Sequence, residues 1–365
     1  MMIFLSIFLL LALYLFFHFR TVIPGVRGTF FSAAIILVFV GGFFARDFFA
    51  GVLAEAFFTV WLCEAALVFV LWDLFRLVRR LIVRKPLEST WLLRGHRIAF
   101  GVGLLMATLF FLIGVPMNLH YQIRNTTVSH PSVTEPFTAV FFTDLHVDPL
   151  FSKQKLVRFA AELDSIAPDF LLFGGDLADV DDKALTAMGY DSLFKSLTRT
   201  AKVAAIGING NHEAYAERNG SEPENWMRKN GMLVLDDSTI CTPLACFTGR
   251  TDFQVAHARD VARRPLAELL PQDSSRIWIL LDHQPKGIEK EYSGRLPSLA
   301  LSGHTHNGQF FPATALIGLF WRLSEGEGIL DGVPWIVSSG IDSWGPPVRI
   351  GSRTDVWVIH FEPKH

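Results

Sequence analysis

The sequence predicts a layered α/β domain preceded by an all-α region that crosses a membrane. Three observations predict it. The N-terminal third is built of long apolar segments. From Pro136 onward, short β-branched and aromatic runs alternate with stretches of helical spacing. Five of those runs end abruptly in Asp, Asn or His. The expected division is a membrane region over 1–118, a linker over 119–135 and the α/β domain over 136–365.

Four apolar segments open the chain: Met2–Phe19, Thr29–Ala45, Phe48–Trp72 and Ile98–Met117. Each is long enough, or nearly so, to cross a hydrocarbon core of about 30 Å. The first lacks a basic start, and no small-x-small site precedes Arg20, so it reads as an uncleaved anchor rather than a signal peptide. Only Arg46 and Asp47 separate the second segment from the third, which suggests a tight hairpin. Glu55 and Glu64 lie inside the third segment. Nine residues apart, they point to opposite faces of a helix. Interhelical hydrogen bonding is therefore the expected role, rather than one shared ionic site. The loop before the fourth segment carries Arg76, Arg79, Arg80, Arg84, Lys85, Arg94 and Arg97. Positive loops stay in the cytoplasm, so four spans put the C-terminal domain outside it.

Charge divides the same way. Residues 1–118 hold 10 Lys/Arg and 5 Asp/Glu, and the rest of the chain holds 23 and 30. The acidic C-terminal part argues against nucleic acid as a partner. Cys63 sits in an apolar span and is expected to be inert. Cys241 and Cys246 bracket Thr-Pro-Leu-Ala, and a hairpin there leaves a disulfide and two reduced thiols equally open. No zinc-type C-x-x-C spacing occurs.

The α/β elements follow in order. Thr138–Phe142, Phe170–Phe173, Val203–Ile208, Ile277–Leu281 and Leu299–Leu301 read as buried strands. Residues 154–165, Lys183–Leu197 and Glu222–Asn230 have helical spacing. Late strands at Trp335–Ser338 and Val356–Phe361 are expected to complete a second sheet. Ligands in open α/β sheets bind at the carboxyl ends of strands, so the residues that end these runs are expected to share one crevice. Asp144 and His146 stand at i and i+2, on one face of an extended chain. Asp176 follows Gly174-Gly175, and its two oxygens suit it to bridge two ions. Gly210-Asn211-His212 offers an amide oxygen beside an imidazole. His283 is a single imidazole after an apolar run. Gly303-His304-Thr305-His306 repeats the i, i+2 pattern. Alone, each is a turn or a core histidine; five in series point to a polynuclear metal site.

This order of motifs resembles the calcineurin-like metallophosphoesterase superfamily over about residues 136–362. Gly303-His304-Thr305-His306-Asn307-Gly308-Gln309, and Ser338-Ser339-Gly340 followed by Trp344-Gly345-Pro346-Pro347-Val348-Arg349, resemble one bacterial, membrane-associated branch. Members of that branch often carry Gly where Asn307 stands, a departure that bears on substrate contacts rather than metals. The four apolar segments are not part of the family pattern. The resemblance implies a four-layer α-β-β-α sandwich. It implies one ion held by Asp144, His146, Asp176 and His306, and another by Asp176, Asn211, His283 and His304. His212 is then a catalytic residue facing the phosphate or the leaving group.

The chemistry agrees without the family. Oxygen and imidazole donors suit Mn, Fe or Zn. Two such ions clamp the attacking and leaving oxygens of an in-line displacement. The expected reaction is direct attack by a hydroxide bridging the two ions, with no covalent intermediate. A membrane tether favours a phosphorylated substrate in or near the bilayer, such as a phospholipid or a cell-wall diester. A lipid-linked or nucleotide-sugar-lipid pyrophosphate is the alternative. A non-catalytic scaffold is a weaker reading, because scaffolds lose ligands and none is missing here. A transporter or receptor with a regulatory hydrolase is weaker still.

Secondary roles are open. Asp282 and Glu213 either orient an imidazole or act as solvated or capping carboxylates. Arg218, Arg250 and Arg349 either grip phosphate or form structural salt bridges, with Arg349 the best phosphate candidate. Trp344 either paves the pocket or packs in the core.

Overall fold

The computed structural model describes residues 2–44 and 49–364. The Arg46–Asp47 junction lies outside the described residues. The chain divides into two compact units: Met1–Pro116 with Gly345–Val348, and Met117–Trp344 with Arg349–His365.

The first unit is helical: α1 (Met2–Val22), α2 (Val26–Phe44), α3 (Phe49–Val83) and most of α4 (Ser89–Leu119). Of these, α3 and α4 are long and apolar enough to cross a membrane, while Leu10–Val22 and Val26–Gly41 are shorter apolar helices. At 1.5 Å per residue α3 is about 52 Å long, so it outruns the apolar segment Phe48–Trp72 by several turns. Those extra turns carry Asp73, Arg76, Arg79 and Arg80. Asp73 accepts from Tyr14 Oη and meets His18 Nε2, both at 3.1 Å, and pairs with Arg76 at 2.8 Å. Phe19 stacks on Trp61 at 5.4 Å. A Cβ on Gly103 would lie 2.9 Å from Ala65 Cα, so α3 and α4 approach as closely as small residues allow. Glu64 is fully buried, and its carboxylate has no hydrogen-bond partner among the described residues. The interhelical bond expected for it is not formed there.

The second unit contains two six-stranded sheets. The first sheet comprises β1 (Gln122–His130), β2 (Phe137–Phe142), β3 (Phe170–Phe173), β4 (Ala204–Gly207), β5 (Leu233–Val234) and β12 (Asp355–Pro363). Their order is β1-β12-β2-β3-β4-β5. The second comprises β6 (Ser238–Cys241), β7 (Ala245–Gly249), β8 (Ile277–Leu281), β9 (Leu299–Ser302), β10 (Gly326–Leu330) and β11 (Val333–Val337). Their order is β10-β11-β9-β8-β7-β6. The helices are α5 (Lys153–Ile166), α6 (Asp182–Ala187), α7 (Tyr190–Thr198), α8 (Asn211–Arg218), α9 (Pro223–Lys229), α10 (Phe253–Ala258) and α11 (Ala313–Leu316).

Strand alternation sorts the apolar residues between layers. Ala139, Phe141, Phe170 and Leu172 face Phe247, Ile279, Leu281 and Leu301 between the sheets. The other face of the first sheet, through Val140, Phe142, Leu171 and Phe173, packs on Leu156, Phe159 and Leu163 of α5 and on Phe194 and Leu197 of α7. The outer face of the second sheet, through Trp278, Leu280, Trp335 and Val337, is covered by Leu266 and Ile288 from a 3-10 turn and loops. The α-β-β-α sandwich is thus present, with a thin fourth layer.

Three expectations change. The linker 119–135 contains β1, which pairs with β12 in parallel over nine residues. The last strand, β12, enters the first sheet between β1 and β2, and only β11 joins the second. Lys183–Leu197 is two helices rather than one, broken at Gly189, whose φ of 77° ends one helix and starts the next. Cys241 and Cys246, paired across β6 and β7, are joined in a disulfide.

Candidate metal centre

All eight residues singled out in the sequence gather at the carboxyl ends of strands from both sheets. Asp144 and His146 follow β2, Asp176 follows β3, and Asn211 and His212 open α8 after β4. His283 follows β8, and His304 and His306 follow β9. The backbone bends sharply to deliver them. Asp144, His146, Asp176, His304 and His306 all have φ between 44° and 73°. Left-handed conformations cost non-glycine residues about 1–3 kcal/mol each and cluster at functional sites. Glycines let the carboxylates approach the backbone closely. A Cβ on Gly210 would lie 2.2 Å from Asp176 Oδ1, and one on Gly303 would lie 2.2 Å from Asp144 Oδ2.

Two donor groups result, the buried Asp144, His146 and His306, and the buried Asp176 and His283 with the half-buried His304. Within each, the ligand atoms lie within 4.8 Å of one another. His146 Nε2 is 3.1 Å from His306 Nε2 and 3.7 Å from Asp144 Oδ1. Asp176 Oδ2 lies 3.1 Å from His283 Nε2 and 3.6 Å from His146 Nε2, so one carboxylate touches both groups. Asn211 Oδ1 lies 3.2 Å from His283 Nε2.

The surroundings fix which atoms face inward. His283 Nδ1 donates to the Gly174 carbonyl at 2.8 Å, leaving Nε2 for the centre. His146 Nδ1 meets Asp179 Oδ1 at 3.0 Å, with the same result. Asp179 Oδ1 also meets His212 Nδ1, at 2.6 Å. A carboxylate that receives the outer nitrogen fixes an imidazole's tautomer and orientation. Asp144 accepts from the His304 N–H at 3.1 Å, and Asp176 Oδ1 from the His212 N–H at 2.8 Å.

The electrostatics describe a centre short of positive charge. Burial works against ionising Asp144, Asp176 and Asp179, yet neighbouring imidazoles hold all three below the usual carboxylate range. Burial also opposes a proton on His283, but the Asp176 carboxylate outweighs it and lifts the imidazole to about 10. His146 is raised too, chiefly by Asp179 against its burial. Burial and the charge of His283 push His304 down to about 3. Burial likewise holds His306 low. Protons on His146 and His283 therefore stand where cations balance the carboxylates. Lone pairs of oxygen and imidazole nitrogen, converging in a buried site, fit divalent ions of the Mn, Fe or Zn type.

Asp179 was not legible as a site residue. The bridge between Val147 and Ala178 carries it there, with its own N–H donating to the Val147 carbonyl at 3.0 Å. Glu213 does not orient an imidazole. It accepts from the N–H groups of Asp176, Leu177 and Gly210 at 3.0, 2.6 and 2.5 Å, pinning the loops that hold the donors. Asp282 pairs with Arg263 at 2.8 Å. Arg250 is buried against Asp237 and Glu289, and Arg218 is exposed. Arg349 is fully buried and donates to the carbonyls of His306, Ser339 and Asp342 at 2.8, 2.8 and 2.5 Å. It staples backbone behind the site, and no phosphate can reach it. Trp344 is 42 % exposed, with its ring 5.9 Å from His212, and Trp321 lies 5.2 Å from His304. Trp344 therefore lies beside the site rather than in the core.

Comparison with known proteins agrees with this geometry. The family model for the calcineurin-like phosphoesterase matches residues 137–308. A protein named as an uncharacterized metallophosphoesterase from Helicobacter pylori strain J99 is 30 % identical over 246 residues, 67 % of this chain and 65 % of its own. The chain thus spans just under two thirds of that relative. A similarly named Campylobacter jejuni protein is 26 % identical over 80 % of this chain and 77 % of its own. A Danio rerio transmembrane protein with metallophosphoesterase domain is 28 % identical over 60 % of this chain and 52 % of its own. The matched residues include every donor of the two groups, and residues 137–308 form a calcineurin-like phosphoesterase domain.

Proposed function

We propose that the chain is a membrane-anchored, metal-dependent phosphoesterase that hydrolyses a phosphodiester of the lipid or envelope compartment. The observation that carries this reading is the pair of donor groups that meet at Asp176. One cation would be held by Asp144, His146, Asp176 and His306, the other by Asp176, Asn211, His283 and His304. Two divalent ions held there would supply Lewis acidity toward a phosphoryl oxygen and would make water nucleophilic at neutral pH. The protein's own groups do the rest. Asp179 holds His212 by Nδ1, so Nε2 is the atom left to protonate the departing alkoxide as the P–O bond breaks. Trp344 and Trp321 flank the site.

The membrane part of the reading has two supports. Residues 1–118 supply four apolar helices, and relatives carry the same domain in transmembrane proteins. We place the catalytic domain of residues 136–365 outside the cytoplasm. The arginine-rich connection between α3 and α4 favours that side, and so does the Cys241–Cys246 disulfide.

The test is hydrolysis by the full chain, loaded with Mn²⁺, of bis-p-nitrophenyl phosphate and p-nitrophenyl phosphate. Chelator-sensitive diester cleavage is expected, reduced about 10²- to 10⁴-fold by His212→Ala. Preference for the monoester overturns the diester assignment. Turnover of neither ester by a chain that binds two cations overturns the phosphoesterase reading in favour of a pyrophosphate substrate or a scaffold.

A further inference from the structure

Between the two flanks of the metal centre the chain makes an uncharged excursion. Residues 307–321, Asn-Gly-Gln-Phe-Phe-Pro-Ala-Thr-Ala-Leu-Ile-Gly-Leu-Phe-Trp, contain no Asp, Glu, Lys or Arg. The segment leaves directly from His306 and returns at Trp321, whose ring packs 5.2 Å from His304. Its large apolar side chains are not folded inward. Phe311 is 38 %, Leu316 48 %, Leu319 79 % and Phe320 77 % exposed. Isolated exposed apolar residues are ordinary on a soluble surface, but a contiguous group of this size marks an interaction site.

The excursion is held in shape. Thr305 Oγ1 donates to the Ser324 carbonyl at 2.5 Å and Ser324 Oγ to Asn307 Oδ1 at 3.0 Å, closing its base. The Phe311 N–H donates to the Ile350 carbonyl at 2.9 Å. A Cβ on Gly308 would lie 2.6 Å from the Ala313 backbone, so the first turn packs tightly on itself. Charges at the rim are neutralised: Arg322 pairs with both oxygens of Asp331 at 2.8 Å, and Glu325 with Arg124 at 3.5 Å. The exposed Leu and Phe side chains are thus presented by a fixed, uncharged scaffold beside the centre.

We propose that the 310–321 segment seats in the bilayer interface and that the ester cleaved at the neighbouring centre is carried by a membrane lipid. The second half rests on the phosphoesterase reading; the first does not. Chain length singles out the bilayer among possible occupants. Only His120 and Tyr121 separate α4, one of the two helices able to cross a membrane, from β1 of the catalytic unit. Two residues span at most about 7 Å, so a chain that crosses the bilayer through α4 starts β1 within that reach of the helix end. The composition agrees, since Phe and Leu with a Trp at the margin are what interfacial segments insert. His306 directly precedes the segment and Trp321, at its end, packs 5.2 Å from His304, so a headgroup held beside the inserted segment adjoins the centre.

The experiment uses the full chain in vesicles of phosphatidylethanolamine and phosphatidylglycerol. With Cys63 replaced by Ala, an environment-sensitive fluorophore is attached at Leu319→Cys or Phe320→Cys, with Val203→Cys as the control. Lipids bearing a nitroxide high on the acyl chain should quench both excursion sites several-fold more than position 203. Equal quenching at all three sites overturns the proposal. So does a blue shift that appears only as protein density rises and is insensitive to the nitroxide, which assigns the surface to a second copy of the chain. A second arm compares substrates. The Leu319→Asp/Phe320→Asp variant should cleave soluble bis-p-nitrophenyl phosphate within about twofold of the parent and lose about tenfold or more on a vesicle-borne phospholipid diester. Equal loss on both substrates overturns the lipid-substrate half. If the parent cleaves neither substrate, the phosphoesterase reading fails, and the quenching still decides insertion.

Discussion

Asp179 uses one oxygen to hold two imidazoles, His146 in a donor group and His212 beside it. Replacing it with Asn keeps the shape but removes the charge that fixes both tautomers. Asp179→Asn should lower kcat about 10- to 100-fold with little change in fold. An unchanged kcat at full cation content would refute this role. A second outcome follows from the protons on His283 and His146. Both are held above the ordinary imidazole range, so at neutral pH the cation-free protein carries protons at the atoms that, in the assignment we propose, donate to a metal. Cation uptake should therefore release protons, and affinity should weaken as pH falls. Calorimetry in buffers of different ionisation enthalpy measures the release directly, and a buffer-independent heat would rule it out. At this scale the sequence shows what ends an apolar run and little else. Asp144, Asp176 and His283 were legible because each follows a buried strand. Asp179 was not, because a non-local bridge brings it in. Arg349 stayed open between a phosphate contact and a structural role, because a motif does not reveal depth.

Elements show the same division between local and non-local signals. The apolar runs of β2, β3, β8 and β9 announce themselves, since both faces are covered. β1 does not: it alternates exposed and half-buried positions, carries Asn, Thr and Ser, and is defined only by its pairing with β12. The placement of β12 in the first sheet is likewise a matter of partner choice, which no local run encodes. What secures the turns between these strands is polar. Arg349 reaches the carbonyls of His306, Ser339 and Asp342, and its Nε donates to Ser343 Oγ at 2.9 Å. Ser343 Oγ in turn bonds Asn118 Oδ1 at 2.8 Å, in the last turn of α4, and Asn118 Nδ2 donates to Asp342 at 2.6 Å. The network runs from the end of α4 to a donor histidine without leaving the second unit. Arg349→Met takes the guanidinium from three buried carbonyls, of which that of His306 keeps the Gln309 N–H, and should cost about 3 kcal/mol or more. Arg349→Lys should recover little, because an ammonium cannot span a planar fork. Thermal unfolding of the purified chain checks both, and a parent-like midpoint for the Lys variant would show that charge alone suffices.

For the whole molecule the deciding quantity is the side of the membrane on which the acidic unit lies. The basic residues are concentrated where α3 outruns its apolar segment and where α4 begins, from Arg76 to Arg97. The translocation machinery retains such stretches in the cytoplasm, and charges near span ends dominate that choice. On the topology we propose, with this connection inside and α4 crossing once more, the catalytic unit would lie outside. The disulfide agrees, because a Cys241–Cys246 bond persists in an oxidising compartment and is reduced in the cytosol. A C-terminal fusion to alkaline phosphatase, which is active only outside the cytoplasm, should be active, and a green fluorescent fusion at the same point should be dark. Replacing Arg76, Arg79, Arg80 and Arg84 together with Gln should weaken or invert that pattern, since it removes the charges invoked. The opposite result in the parent would place the centre inside the cell, and the lipid-borne ester would then be sought in the inner leaflet. The inserted segment beside the centre works from either leaflet, so the topology experiment and the quenching experiment answer separate questions about the same substrate.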